Sequence, residues 1–283
     1  MKDARQLGKT LSAAIVFCDM DGTFLRSDKS VPQENLMMLD WLAGHGITFV
    51  PCTGRPASAV PEVVRTHPSC RYVVASNGAV VEEMGGARLM QKALADEVVL
   101  ALYEKVQGLA VTFDVFCGGE VYSERRRYEA MGTFGIDAPS LAMLRRVRRP
   151  TDLMVPELIE RFGPAEKVTC FWKDESDCAG LLAILEGTDG LSYVKGHPKD
   201  FEMQAPGVSK GDTLVWLCRY LGVPIEESVA FGDEGNDRSL LLAAGLGVAM
   251  ENATPEVKAA SDAIAPSCDE AGVARFMREL LGS

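Results

Sequence analysis

Ala13-Ala14-Ile15-Val16-Phe17-Cys18-Asp19-Met20-Asp21-Gly22-Thr23-Phe24-Leu25 is the stretch on which the fold turns. Its first six residues are apolar and include two β-branched side chains, and Asp19 closes the run. That pattern predicts a short buried strand. In extended chain, residues i and i+2 point the same way, so Asp19 and Asp21 can share one site. Gly22 then permits a sharp turn. Ligands of open α/β sheets bind at the carboxyl edge of the strands, which is where this pair falls. Two neighbouring carboxylates repel unless a cation or a proton mediates. One can then act as a nucleophile while the other handles protons. Taken alone, D-x-D-G also fits a strand-end turn with solvated aspartates.

Outward from this stretch, strand and helix signals alternate. Residues 33–43 carry Leu36, Leu39, Trp41 and Leu42 at helical spacing, between Pro32 and Gly44. Ile47–Val50 and Tyr72–Ala75 read as strands, with a helix over Ala57–Arg65 between them. After Ser76-Asn77-Gly78 the rhythm changes. Gly85-Gly86 and Gly118-Gly119 read as hairpin turns, and Glu97–Val106 and Cys178–Leu185 as helices. The alternating rhythm resumes with a helix over Lys210–Tyr220, a strand at Val229–Phe231 and a helix over Arg238–Ala244. Strands at Leu246–Met250 and Ala263–Ile264 and a helix over Glu270–Leu280 complete it. The expected architecture is an α/β core with a parallel sheet, built from both ends of the chain and interrupted by an α+β insertion. The expected division is 1-82 and 188-283 for the core and 83-187 for the insertion.

Composition bounds the function. The 283 residues carry a formal net charge of −11, with 47% hydrophobic and 24% charged residues. That excludes a disordered chain, a fibre or a small disulfide scaffold. So acidic a balance argues against nucleic-acid or anionic-membrane partners, both of which reward a basic face. No apolar run reaches the length of a signal-peptide core or a membrane span. Eight cysteines without a C-x-x-C pair read as reduced, buried thiols, and the expected location is the cytoplasm.

Three further pieces bear on the carboxylate pair. Thr53-Gly54-Arg55 follows the second strand, where a hydroxyl and backbone N–H groups suit a phosphate. Gly232-Asp233-Glu234-Gly235-Asn236-Asp237 follows a late strand and offers oxygen ligands of the kind Mg²⁺ takes, although a capped helix start has the same pattern. Ser209-Lys210-Gly211-Asp212 opens a helix, with Ser209 as its cap and Lys210 at its first turn.

In this order the pieces resemble the haloacid-dehalogenase (HAD) superfamily, and within it the Cof-type (class IIB) phosphatases. The residues that carry the resemblance are D-M-D-G-T-F-L (19–25), T-G-R (53–55), S-N-G-A (76–79), G-V-S-K-G (207–211) and G-D-E-G-N-D (232–237), with Phe201-Glu202-Met203 before the lysine motif. The match spans roughly 11–82 and 188–283, and the insertion carries no placed motif. The resemblance implies a Rossmann-like core, a C2-type α+β cap and a Mg²⁺-dependent phosphatase of small phosphorylated metabolites, sugar phosphates or phosphorylated cofactors. It implies that Asp19 attacks phosphorus and becomes an aspartyl phosphate, while Asp21 protonates the leaving oxygen and then activates water. Mg²⁺ would bind Asp19, the Asp21 backbone carbonyl and Asp233. Thr53, Gly54, Lys210 and Asn236 would hold the phosphoryl oxygens, and Asp237 would orient Lys210 or a metal-bound water. The expected partner is therefore a small-molecule phosphate ester, with no nucleic acid and no membrane; oligomeric state is not legible.

Other readings share parts of this pattern. Gly207–Gly211 also matches the G-x-S-x-G elbow of serine hydrolases, but all three histidines precede Ser209, against the order that fold requires. A non-catalytic phospho-acceptor signalling module uses a similar Asp, Thr and Lys set on a much shorter chain. Dehalogenation has no need of Asp21. A phosphomutase, or a mannosyl-3-phosphoglycerate- or sucrose-phosphate-type phosphatase, would use the same core. The basic runs Arg125–Arg127 and Arg145–Arg149 read as solvated surface, or else as an anion-attracting rim.

Overall fold

The computed structural model describes residues 13–85 and 88–282. Its strands, in chain order, are β1 (Ile15–Asp19), β2 (Thr48–Cys52), β3 (Tyr72–Ala75), β4 (Val80–Glu83), β5 (Arg88–Gln91), β6 (Asp114–Cys117) and β7 (Glu120–Glu124). They continue with β8 (Arg148–Thr151), β9 (Lys167–Phe171), β10 (Ser192–Val194), β11 (Asp200–Gln204), β12 (Ser228–Gly232), β13 (Leu246–Met250) and β14 (Ala263–Ala265). The chain divides into two compact units, one of residues 1–90 and 209–283, the other of residues 91–208.

The first unit holds an eight-stranded sheet in the order β14-β13-β12-β1-β2-β3-β4-β5. β1 pairs in parallel with both β12 and β2, and only the β3–β4 pairing described is antiparallel. From β1 the chain builds outward on one side through β2 and β3, and on the other through β12, β13 and β14. The carboxyl end of β1 is therefore a topological switch point, where such sheets form their crevice. Ile15, Val16, Phe17, Phe49, Val229, Phe231 and Val248 are fully buried. Burying each such side chain contributes about 1.5–3 kcal/mol, which explains why these strands read as continuous apolar runs. Ala57–Arg65 is not one helix: Pro61 divides it into a 3₁₀ turn, Ala57–Ala59, and a short helix, Glu62–Arg65. Proline removes the N–H that a continuous helix would need.

The second unit holds a six-stranded sheet in the order β10-β11-β9-β6-β7-β8. One face packs Val115, Val168, Cys170 and Met203 into a core with Val99, Leu158 and Leu181 from the helices Asp96–Lys105, Val155–Phe162 and Glu175–Glu186. Gly118 and Gly119 both have positive φ, as the expected β6–β7 hairpin requires. Of the other expected turn, Gly86 lies outside the described residues.

The expected boundaries at 82 and 187 move in this structure. β4 and β5 extend the first sheet, while β10 and β11 join the second by antiparallel pairing of β11 with β9. Phe201-Glu202-Met203 is thus a strand of the inserted unit, not of the core. Which strand a segment pairs with is a long-range matter that local spacing does not encode. Of the basic runs, Arg125, Arg126, Arg145, Arg146 and Arg149 are exposed as expected, whereas Arg127 and Arg148 are not. Arg127 and Arg148 are buried, pairing with Glu124 and Asp114, while Arg125, Arg126 and Arg149 pair with Asp152, Glu124 and Glu120. All eight cysteines are free thiols, and among the described residues no helix is long and apolar enough to cross a membrane.

Candidate active site

The carboxyl ends of β1, β2, β3, β12 and β13 bring the site together within the first unit. Asp19 is the last residue of β1, and its backbone carbonyl accepts from Phe24 N (3.2 Å), closing the turn that carries Asp21 and Gly22. Gly22 has φ +79°, and a Cβ there would run into the Asp233 carboxylate. The turn therefore needs glycine twice over, for its backbone and for the close approach. Gly22→Ala is expected to cost about 1–3 kcal/mol in a urea melt, from left-handed strain and steric displacement of Asp233.

Lys210 opens the helix Lys210–Leu221, capped by the Ser209 hydroxyl, which accepts from Asp212 N (3.1 Å). Lys210 is 1% exposed, and its ammonium donates to Asp19 Oδ1 (2.6 Å) and Asp237 Oδ1 (2.5 Å). Two features fix this helix. A Cβ on Gly211 would meet the backbone of Ser239, so glycine permits close packing on the helix Arg238–Ala243. The second is Thr213 Oγ1, which donates to the Gly78 carbonyl (2.9 Å). Gly78 ends the left-handed turn Ser76-Asn77-Gly78, with φ of +51°, +58° and +97°, which gives S-N-G a physical task that its sequence alone did not reveal.

Asp233 Oδ1 accepts from Thr23 Oγ1 (2.7 Å), and Asp237 Oδ2 accepts from the backbone N–H groups of Asp233 (3.0 Å) and Glu234 (3.1 Å). Asp19, Asp233 and Asp237 are all buried and each offers an oxygen within 4.8 Å of the others. Burial and the Asp237 charge push the Asp19 carboxyl up to about 8, with Lys210 only partly offsetting them. Burial, then Asp19 and Asp237, push the Asp233 carboxyl well above its ordinary range. For Lys210, burial would lower the ammonium, but the two carboxylates outweigh it and hold its pKa above the usual value. With all three carboxylates ionised, one buried ammonium would leave a surplus of two negative charges. Uncompensated buried charge is costly, and a hard divalent cation with oxygen ligands balances this one.

Thr53 is buried, and its hydroxyl oxygen accepts from Arg55 N (3.1 Å), which leaves its own hydrogen available to donate. Gly54 lies between them in the loop after β2. Asn236 Nδ2 donates to Asn77 Oδ1 (3.2 Å) at the edge of the same group. Each residue expected at the site therefore lies at the carboxyl edge of this one sheet or on the helix start beside it.

The structure adds partners that the motifs did not supply. Asp21 pairs through Oδ1 with both Arg55 Nη2 and Lys29 Nζ, the latter at 3.0 Å. Burial would raise its carboxyl, but Arg55 and then Lys29 hold it below the ordinary value. Asn252 Nδ2 donates to the Gly22 carbonyl (2.8 Å), and Asn252 Oδ1 accepts from Cys268 N (2.9 Å), tying the Asp21 turn to the loops after β13 and β14. Arg55 was visible as the last letter of T-G-R; Lys29 and Asn252 belong to no quoted motif.

Comparison with known proteins bears on the family and the fold. A family model described as haloacid dehalogenase-like hydrolase matches residues 16–277. Phosphatase YwpJ of Bacillus subtilis is 28% identical, over 94% of this chain and 99% of its own. The HMP-PP phosphatase of Klebsiella pneumoniae is 28% identical, over 87% of each chain. Among solved structures, the HAD subclass IIB sugar phosphatase BT4131 superposes with a TM-score of 0.80 at 22% identity, over 94% of this chain and 98% of its own, a likeness of fold.

Proposed function

We infer that this chain, which belongs to the haloacid dehalogenase-like hydrolase family and is a phosphatase, hydrolyses small phosphorylated metabolites through a phosphorylated Asp19, with Mg²⁺ as its cation. The observation that carries this reading is the buried group Asp19, Asp233, Asp237 and Lys210, with its surplus of two negative charges when all three carboxylates are ionised. A phosphate ester is itself an anion, so it can approach Asp19 only where that surplus is cancelled. Asp19, Asp233 and the Asp21 backbone carbonyl would hold the cation. Both Asp237 oxygens are already engaged, by Lys210 and by two backbone N–H groups, which suits it to positioning Lys210 rather than to ligation. When bound, the cation supplies charge neutralisation of the phosphoryl oxygens.

The protein's own groups account for the rest. Lys210 donates to the transferring phosphoryl group, together with Thr53 Oγ1, the Gly54 backbone and the Asn236 amide. Arg55 and Lys29 favour the Asp21 carboxylate in the free protein, and the anionic ester beside it offsets them, so that Asp21 enters the step protonated. An Asp19 oxygen attacks phosphorus as the ester P–O bond breaks, and Asp21 gives its proton to the departing oxygen. Asp21, now a carboxylate, takes a proton from the water that attacks the aspartyl phosphate, which releases inorganic phosphate and restores Asp19. Phosphoryl transfer is mostly positioning and charge stabilisation, which is what this arrangement of fixed strand ends provides.

The test is a phosphate-release screen over sugar phosphates and phosphorylated cofactors, with and without Mg²⁺. Turnover of at least one class only with the cation is the expected result. A long-lived phosphoaspartate without phosphate release would instead mark a phospho-acceptor module. Lys210→Ala is expected to lower kcat by about 10²–10³-fold, as loss of one preorganised donor does elsewhere.

A further inference from the structure

We propose that Lys29 is a positioning residue for Asp21, clamping with Arg55 a single carboxylate oxygen so that the other stays available for proton transfer. The proposal rests on the reading of Asp21 as the proton-handling group. Two observations carry it. Lys29 Nζ lies 3.0 Å from Asp21 Oδ1, and Arg55 Nη2 bonds that same oxygen, whereas Asp21 Oδ2 accepts no hydrogen bond among the described residues. The two cations arrive from different loops, after β1 and after β2, so together they fix the carboxylate's rotation where one alone would let its oxygens exchange.

The second observation is backbone strain. Lys29 has φ +69°, a left-handed conformation that costs a side-chain-bearing residue and suits glycine. The conformation is held by a tight turn, in which Lys29 N donates to the Arg26 carbonyl (2.9 Å), Arg26 N to the Ser30 carbonyl (3.0 Å) and Ser30 N to Asp28 Oδ1 (2.9 Å). The turn is anchored by Ser27, whose N–H and hydroxyl both donate to Asp269 Oδ1. A lysine occupies the position where the backbone favours glycine, and among the described residues its side chain's one polar contact is Asp21. Strain kept at such a place points to a side chain that the site uses.

The experiment compares an alkyl phosphate, whose leaving oxygen needs a proton, with 4-nitrophenyl phosphate, whose leaving group does not. The readout is kcat/KM, which reports phosphoryl transfer from the ester. Lys29→Met is expected to lower it about 10–100-fold for the alkyl ester and by no more than about 3-fold for the aryl ester, a partial loss of general-acid catalysis. Lys29→Arg restores most of the difference. Lys29→Gly shows the same ester-dependent loss with a Tm at or above wild type, because the left-handed strain is relieved. Equal losses on both esters, unchanged values, or a rise in KM alone would overturn the proposal. Wild-type protein that hydrolyses neither ester would overturn the phosphatase reading first, and this proposal with it.

Discussion

Asp19→Asn removes turnover, by about 10⁴-fold or more, and at the same time leaves the cation-free protein more stable above neutral pH. The first effect follows from chemistry: an amide nitrogen or oxygen does not displace an alkoxide from phosphorus at a useful rate. The second follows from where Asp19 sits. Burial and the Asp237 carboxylate push its carboxyl up to about 8, far above an unfolded aspartate. Between the unfolded value and about 8, the folded protein binds the proton that the unfolded chain has released. Stability linked to this group therefore falls as pH rises through that window, and is restored as pH falls. Asparagine has no proton to lose, so the variant's stability varies less with pH. Parallel activity assays and melts at several pH values in the presence of a chelator check both halves; a variant that keeps wild-type turnover would sink the covalent mechanism.

Withdrawal of divalent cations has an effect of comparable size. Chelation is expected to stop phosphate release, and added Mg²⁺ to restore it. The cation also cancels the surplus of buried negative charge shared by Asp19, Asp233 and Asp237. Mg²⁺ should therefore raise Tm more at pH 8 than at pH 6, since at the lower pH protons already neutralise part of the group. At a hundredfold excess over Kd the gain is about 2.7 kcal/mol. Differential scanning calorimetry across pH, with and without Mg²⁺, measures it; a Tm indifferent to the cation at every pH would contradict its place at these carboxylates.

Much of the site was legible because each of its parts is local. Asp19 and Asp21 are two residues apart on a strand end, Asp233 and Asp237 share one loop, and Ser209-Lys210 is a helix start. Short-range geometry dictates what such spacings can do. The partners of Asp21 were not legible in the same way. Lys29 is an ordinary lysine in a polar loop, and nothing in Ser27-Asp28-Lys29-Ser30 marks its left-handed backbone or its reach to Asp21. Asn252 belongs to no quoted motif, yet its amide ties Gly22 to the loop after β14. Arg148 escaped the sequence reading for a related reason: it is buried against Asp114 on β6, 34 residues away in the chain.

By itself, the sequence determined the class of fold, since apolar runs the length of strands alternating with amphipathic segments admit few arrangements other than a covered parallel sheet. It also singled out the carboxylates Asp19, Asp21, Asp233 and Asp237 and the lysine Lys210, which the fold then gathers at one sheet edge. The tertiary structure decided which strands pair, placing β10 and β11 in the inserted sheet, and which charges meet, placing Lys210 between Asp19 and Asp237 and two cations on one oxygen of Asp21. Hydrogen-bond pairing between strands and the balance of buried charge are sums over residues far apart in the chain, so they become definite only once the chain has closed on itself.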